Sequence, residues 1–80
     1  MFVTPIRESI IRRREGKGMT QHQLSCAAGL PGNAIFRIEN GCVQKTSSLR
    51  AQAIADALGC QIKDIFIIPG RHSQTLASNT

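Results

Sequence analysis

The sequence has no tryptophan and no tyrosine, and only three phenylalanines among its 80 residues. Proteins that bind single-stranded nucleic acid commonly stack bases on aromatic side chains, so the scarcity of aromatics argues against that class. Acidic side chains are few as well, since five Asp and Glu accompany ten Lys and Arg to give a formal net charge of +5. This positive excess favours an anionic partner, either nucleic acid or a membrane surface, although it also keeps small proteins soluble.

The sequence also has no signature of a metal centre, a disulfide framework or an enzymatic site. The cysteines Cys26, Cys42 and Cys60 are odd in number and include no C-x-x-C pair, so we expect neither a zinc site nor a disulfide framework. His22 lies four residues before Cys26, but two ligands without a third make a poor metal site. No phosphate-binding glycine loop and no nucleophile beside a base are present, so we expect a non-enzyme without cofactors.

Long apolar runs are absent too. No stretch approaches the roughly 20 apolar residues of a transmembrane helix, and the first residues lack the apolar core of a signal peptide. We therefore expect a protein of the reducing cytoplasm. Hydrophobic residues nonetheless make up 41% of the sequence, which is enough for one small core.

Capping and breaking residues divide the chain into short helices. Thr4 and Pro5 have the pattern of an N-cap and a first helical position, because the missing N–H of proline costs nothing there. Thr20 and Gln23 form the pattern of a capping box, and Gly29 is suited to end the helix that they begin. No segment has a convincing strand pattern. The predicted helices cover about 4–17, 20–28, 31–40, 48–58 and 62–67.

These elements predict an all-α domain over residues 1–69. The polar segment 70–80 lacks apolar periodicity and is expected to be a flexible tail. The fourth helix is expected to turn one apolar face to the core, comprising Leu49, Ala53, Ile54, Ala57 and Leu58.

The predicted third helix has two chemically different faces. At helical spacing Ile35, Ile38 and Glu39 share one side. The second side carries Asn33, Phe36, Arg37 and Asn40. Asn and Arg have the paired donors and acceptors that match adenine and guanine edges in the major groove of DNA, and Gly32 lets the start of the helix approach another surface closely. The alternative to base recognition is that this polar side only meets water.

Two charged residues fall on apolar stripes. Ile6, Ile10 and Arg14 are spaced four apart, so Arg14 continues the stripe of the first helix. Glu39 continues the stripe of Ile35 in the same way. Because a half-buried charge is costly unless it is paired, we predict an Arg14–Glu39 ion pair that ties the first helix to the third.

The central stretch GMTQHQLSCAAGLPGNAIFRIENG, residues 18–41, resembles the helix-turn-helix of phage-repressor-like (Xre/Cro-type) transcriptional regulators. A weaker match continues through residues 54–66. The resemblance implies a compact five-helix lambda-repressor-like DNA-binding domain, with its helix-turn-helix at 20–40 and its third helix in the major groove. The residues that carry it are Gly18, Met19, Thr20, Gln21, Leu24, Gly29, Ile35, Ile38, Glu39 and Gly41.

The resemblance also implies roles for individual residues. Arg14 and Glu39 match positions that form a structural ion pair in this family. The expected contacts to DNA bases come from Gly32, Asn33, Phe36 and Arg37. The expected contacts to phosphates come from Thr20, Gln21 and Asn40, and in the following loop from Lys45, Thr46, Ser47 and Ser48.

Three positions depart from the family pattern. Pro31 replaces the usual Ser or Thr that caps the third helix, and Gly32 lies where a long polar base reader is common. Ser25 replaces the usual small Ala. Pro31 lacks the hydroxyl that would cap the helix or contact a phosphate, and Gly32 reduces the direct base contacts that the resemblance implies.

The leading hypothesis is a sequence-specific double-stranded DNA-binding transcriptional regulator, either a repressor or a small controller protein. Related family members imply a symmetric dimer on an inverted-repeat operator. The predicted dimer interface is the apolar run Ile65, Phe66, Ile67 and Ile68, for which packing into the protein's own core is the alternative. The competing function is an antitoxin-type protein-interaction module on the same fold, with its partner-binding segment after residue 70.

Overall fold

The computed structural model describes residues 2–69, and within that range it contains five helices and a small sheet. The predicted tail at 70–80 lies outside the described residues. The helices are α1 (Arg7–Gly16), α2 (Gln21–Ala27), α3 (Ala34–Glu39), α4 (Ser48–Leu58) and α5 (Ile62–Ile65). The strands are β1 (Phe2–Pro5), β2 (Thr46–Ser47) and β3 (Phe66–Ile67).

The sheet corrects the all-α prediction. Strand β1 lies in the middle of the order β2-β1-β3 and pairs antiparallel with both neighbours. Thr4 lies opposite Ile67, and Pro5 lies opposite Phe66, so the helix start predicted at Thr4 is wrong. A residue before proline is disfavoured in the α region, which keeps Thr4 extended. Helix α1 begins only after Ile6, whose backbone is also extended.

Helix α2 begins where its capping residues predict. The Gln23 N–H donates to Thr20 Oγ1 at 3.0 Å, and the Thr20 N–H donates to Gln23 Oε1 at 2.8 Å. This reciprocal pair satisfies two backbone donors that a helix start leaves without partners. Gly29, in the left-handed region at φ +72°, then ends α2 as predicted.

Helix α3 begins three residues later than predicted. The Ala34 N–H donates to the Pro31 carbonyl at 2.9 Å, so 31–34 form a turn instead of the first helical turn. Asn33 therefore becomes the N-cap residue of α3. Gly41, at φ +82°, ends the element.

A single core lies between the helices and the inner face of the sheet. In α4 the buried stripe runs through Ala51, Ile54, Ala55 and Leu58. The prediction that Leu49 faces the core is wrong: its side chain is 83% exposed, because the stripe lies on a different side of the helix. The remaining core residues are Val3, Ile10, Leu24, Ile35, Ile38, Ile65 and Phe66.

Candidate nucleic-acid interface

The third helix presents a polar face to solvent and an apolar face to the core. Ile35, Ile38 and Glu39 are buried. Phe36 is 49% exposed, so its ring is available at the surface. Because the buried residues hold the back of α3 against the core, the front of the helix forms an exposed ridge. The exposed side chains of that ridge are Asn33, Phe36, Arg37 and Asn40.

An ion pair links α3 to α1. Arg14 Nε donates to Glu39 Oε2 at 2.8 Å, and Arg14 Nη2 donates to Glu39 Oε1 at 3.1 Å. The two side chains are 12% and 3% exposed. Hydrogen bonding to Glu39 raises the pKa of Arg14 above its ordinary value, and burial opposes that shift. A two-pronged contact of this kind fixes orientation as well as distance.

Two further bonds extend this ion pair to the start of α2. Arg14 Nη1 donates to the Met19 carbonyl at 2.8 Å, and Gln21 Nε2 donates to Glu39 Oε1 at 2.8 Å. The amide of Gln21, predicted to meet a phosphate, is thus engaged inside the protein. One buried carboxylate therefore accepts from side chains of both α1 and α2.

Ser25 attaches α2 directly to the first turn of α3. Its hydroxyl accepts from the Ile35 N–H at 3.0 Å and donates to the Gln21 carbonyl at 2.9 Å. A helix start leaves backbone N–H groups without partners, and here a neighbouring helix supplies the acceptor. The N-cap residue Asn33 makes no side-chain capping bond. The Asn33 amide is therefore not used for capping.

Gly32 is in contact with His22 of α2. A Cβ atom built on Gly32 would lie 2.7 Å from both Nδ1 and Cε1 of the imidazole. The other ring nitrogen, Nε2, lies 3.5 Å from Cys26 Sγ. The space that a side chain of residue 32 would occupy is thus filled by His22. The sequence pointed to Gly32 as a point of close approach but did not indicate the histidine.

A cleft of about 340 Å³ borders the same ridge. Three of its lining residues, Arg37, Lys45 and Arg50, are cationic. No lining residue of the cleft is acidic. Within residues 2–69 no carboxylate lies at ion-pair distance from Arg37. Positive charge with no local acid to neutralise it favours a polyanion at this surface. The other lining residues are Phe2, Leu30, Pro31, Asn33, Ala34, Ile38, Val43, Thr46 and Ser47.

A family sequence model described as helix-turn-helix matches residues 10–65, which is more than half of the chain. The protein belongs to the Xre/Cro-like helix-turn-helix family. Members of this family are DNA-binding regulators. No curated protein matches the sequence significantly.

The residues predicted to contact phosphates have different environments. Asn40 and Lys45 are exposed, and Ser48 is half-buried. The hydroxyls of Thr20 and Ser47 cap α2 and α4.

Thr46 corrects the predicted set of phosphate contacts. Its side chain is buried, and its Oγ1 has no hydrogen-bond partner among the described residues. The reason is the unforeseen strand β2: Thr46 pairs with Val3, and both side chains point to the core. The Thr46 hydroxyl therefore cannot reach a phosphate.

The apolar run near residue 69 also differs from the prediction. Ile65 and Phe66 are buried in the protein's own core, so they are not available to a second subunit. Ile67 is 53% exposed, and Ile68 is half-buried against the core. The strand alternation accounts for this, because Phe66 faces inward opposite Pro5 while Ile67 faces outward opposite Thr4.

No group of three or more His, Cys, Asp or Glu within residues 2–69 could hold a metal ion. None of the helices in that range has both the length and the apolar character needed to cross a bilayer.

Proposed function

We propose that this protein is a sequence-specific regulator of transcription that binds double-stranded DNA, with α3 in the major groove. The observation that carries the proposal is the division of α3, whose buried Ile35 and Ile38 leave Asn33 and Arg37 exposed side by side. Residues four apart lie on one face of a helix. An amide and a guanidinium placed in this way suit an adenine and a guanine edge.

The surroundings of α3 support the same proposal. The cationic side chains Lys45 and Arg50 border the ridge, where they would meet the phosphates that flank a groove. Phe36 is exposed on the ridge itself and would contact the methyl group of a thymine. The hydrogen bonds of Glu39 and Ser25 hold α3 against α1 and α2, so little ordering would be needed on binding.

The test is selection of bound duplexes from a random DNA pool, followed by affinity measurements on the selected sequence. Arg37→Ala should weaken binding by about 1–3 kcal/mol and relax the preference at one base pair. Lys45→Ala should weaken binding to all duplex sequences equally. It should also lower the slope of log affinity against log salt concentration by about 1. Lys63→Ala, an exposed cation of α5, is the charge-matched control.

Wild-type protein that enriches no duplex sequence would contradict the proposal. Equal losses for Arg37→Ala and Lys63→Ala would also contradict it, because only net charge would then matter. Co-purification of a second protein together with absence of DNA binding would favour the antitoxin-type alternative.

We also propose that the protein acts as a symmetric dimer on an inverted repeat and represses transcription by occupying it. One domain of this size makes too few contacts for tight specific binding. The exposed outer face of the sheet, formed by Phe2, Thr4 and Ile67, is the proposed contact between subunits. Two recognition helices would then lie about 34 Å apart, one turn of DNA.

Sedimentation equilibrium tests this arrangement. Wild-type protein should dimerise at micromolar concentration, and Ile67→Asp should shift it toward monomer and weaken binding to paired half-sites. Gln52→Asp, on the exposed side of α4, introduces the same charge elsewhere and should leave the assembly unchanged. A wild-type protein that stays monomeric at micromolar concentration would rule out the dimer.

A further inference from the structure

His22 lies on α2, outside the helix proposed to read DNA, and contacts Gly32 just before that helix. Gly32 lies in the turn that leads into α3, directly before the N-cap residue Asn33. Gly32 itself offers no side chain to a ligand. The imidazole of His22 occupies the space that such a side chain would fill, since a Cβ there would lie 2.7 Å from two ring atoms.

Neighbouring contacts hold the imidazole in that place. Cys26 lies one turn along α2, and its Sγ is 3.5 Å from His22 Nε2. Cε1 and Nδ1 border the space beside Gly32 that a Cβ atom would fill. His22 and Cys26 are both exposed, so the ring lies at the surface. Contacts on two sides of the ring reduce the rotamer freedom that it would lose when it binds.

The chemistry of the ring suits the edge of a base. An imidazole nitrogen donates when protonated and accepts when it is not, and acceptor atoms line the major groove at guanine and adenine. Because Nε2 contacts Cys26, Nδ1 is the ring nitrogen that faces the start of α3. Asn33 follows Gly32 directly, so His22 lies beside the first proposed base reader.

We propose that His22 is a specificity-determining residue for DNA, provided by α2 at the position where Gly32 has no side chain. The inference rests on the proposed function, since it assigns an additional contact to the same interface. His22 would read the base pair next to that of Asn33. The DNA-reading surface would then combine side chains of α2 and α3.

The first experiment compares variants on the duplex selected by the wild-type protein. His22→Ala should bind about 2- to 12-fold more weakly and lose the preference at one position of each half-site, with an unchanged melting temperature. His22→Leu keeps the bulk of the ring but not its nitrogens, and should bind as poorly as His22→Ala. Gln52→Ala, another exposed polar residue, is the neutral control and should bind like wild type.

The second experiment uses Gly32 to move the ring. The backbone of Gly32 is not in the left-handed region, so Gly32→Ala is compatible with the fold, but its methyl group would displace the imidazole. Gly32→Ala should therefore weaken binding in the wild-type background and change it little when His22 is already alanine. This non-additivity is what a double-mutant cycle measures for two residues in contact.

The outcomes separate this inference from the proposed function. If wild-type protein binds its duplex and His22→Ala binds it equally well, the role of His22 is refuted while the DNA-binding function stands. Full affinity in His22→Leu would show that the ring only fills space, which also refutes the inference. If wild-type protein selects no duplex, the proposed function itself fails.

Discussion

Removing the buried carboxylate of Glu39 should strongly destabilise the protein. Glu39→Leu keeps a similar side-chain volume but leaves the Arg14 guanidinium, 12% exposed, without its anionic partner. Breaking a buried ion pair in this way costs about 3–5 kcal/mol. A domain of this size has a total stability of roughly 4–12 kcal/mol, so the variant should be partly unfolded at 37 °C.

The corresponding double variant should be much less damaged. In Arg14→Met with Glu39→Leu neither charge is buried alone, and apolar replacements of buried ion pairs are commonly tolerated. Two bonds would still be lost, since the Met19 carbonyl loses its donor and the Gln21 amide loses its acceptor. At about 1 kcal/mol for each bond, we expect a loss of about 2 kcal/mol.

Urea denaturation followed by circular dichroism at 222 nm is the appropriate assay, since the protein has no tryptophan or tyrosine whose fluorescence could report unfolding. Arg13→Met is the matched control. Arg13 Nη2 lies 4.0 Å from Asp64 Oδ2 in a partly exposed pair, which should contribute no more than about 1 kcal/mol. Arg14→Met alone is the second single variant. If the losses of Arg14→Met and Glu39→Leu add up in the double variant, or if Glu39→Leu is as stable as wild type, the reasoning is refuted.

Two further predictions concern the packing of α2 against α3 and the accessibility of the thiols. Ser25→Ala should lower the free energy of unfolding by about 1–3 kcal/mol, because the buried Ile35 N–H loses its acceptor; an unchanged urea midpoint would contradict this. Burial raises the pKa of the Cys60 thiol, so at pH 7–8 less of it is thiolate than in an exposed cysteine. Iodoacetamide, followed by mass spectrometry, should therefore modify the exposed Cys26 and Cys42 first, and the rate at Cys60 should rise as the pH is increased. Modification of Cys60 first at neutral pH would contradict this order.

Among the features of the fold, the helices are the ones that local sequence patterns predict best. The capping box of Thr20 and Gln23 and the left-handed Gly29 involve residues close together in the chain, so their signals are complete in the sequence. The start of α3 was misplaced because proline at position 31 is equally compatible with a turn and with a first helical turn. The outward face of α3 followed from its periodicity alone.

Features that depend on distant residues were harder to predict. Strands β2 and β3 contain two residues each, which is too short for an alternating pattern to be recognised. Ser25 departs from the family pattern in the sequence, but its bond to Ile35 depends on the angle between two helices. The same holds for His22 and Gly32, whose contact forms only when the turn after Gly29 brings α3 back against α2.

The central strand of the sheet has a consequence for the order of folding. Strand β1 meets β2 more than forty positions along the chain and β3 more than sixty positions along. Closing such long loops costs entropy before any contact is gained, and proteins with many distant contacts fold slowly. We expect α2 and α3, joined by a short turn, to associate early, and the sheet to form last and to complete the cooperative unit.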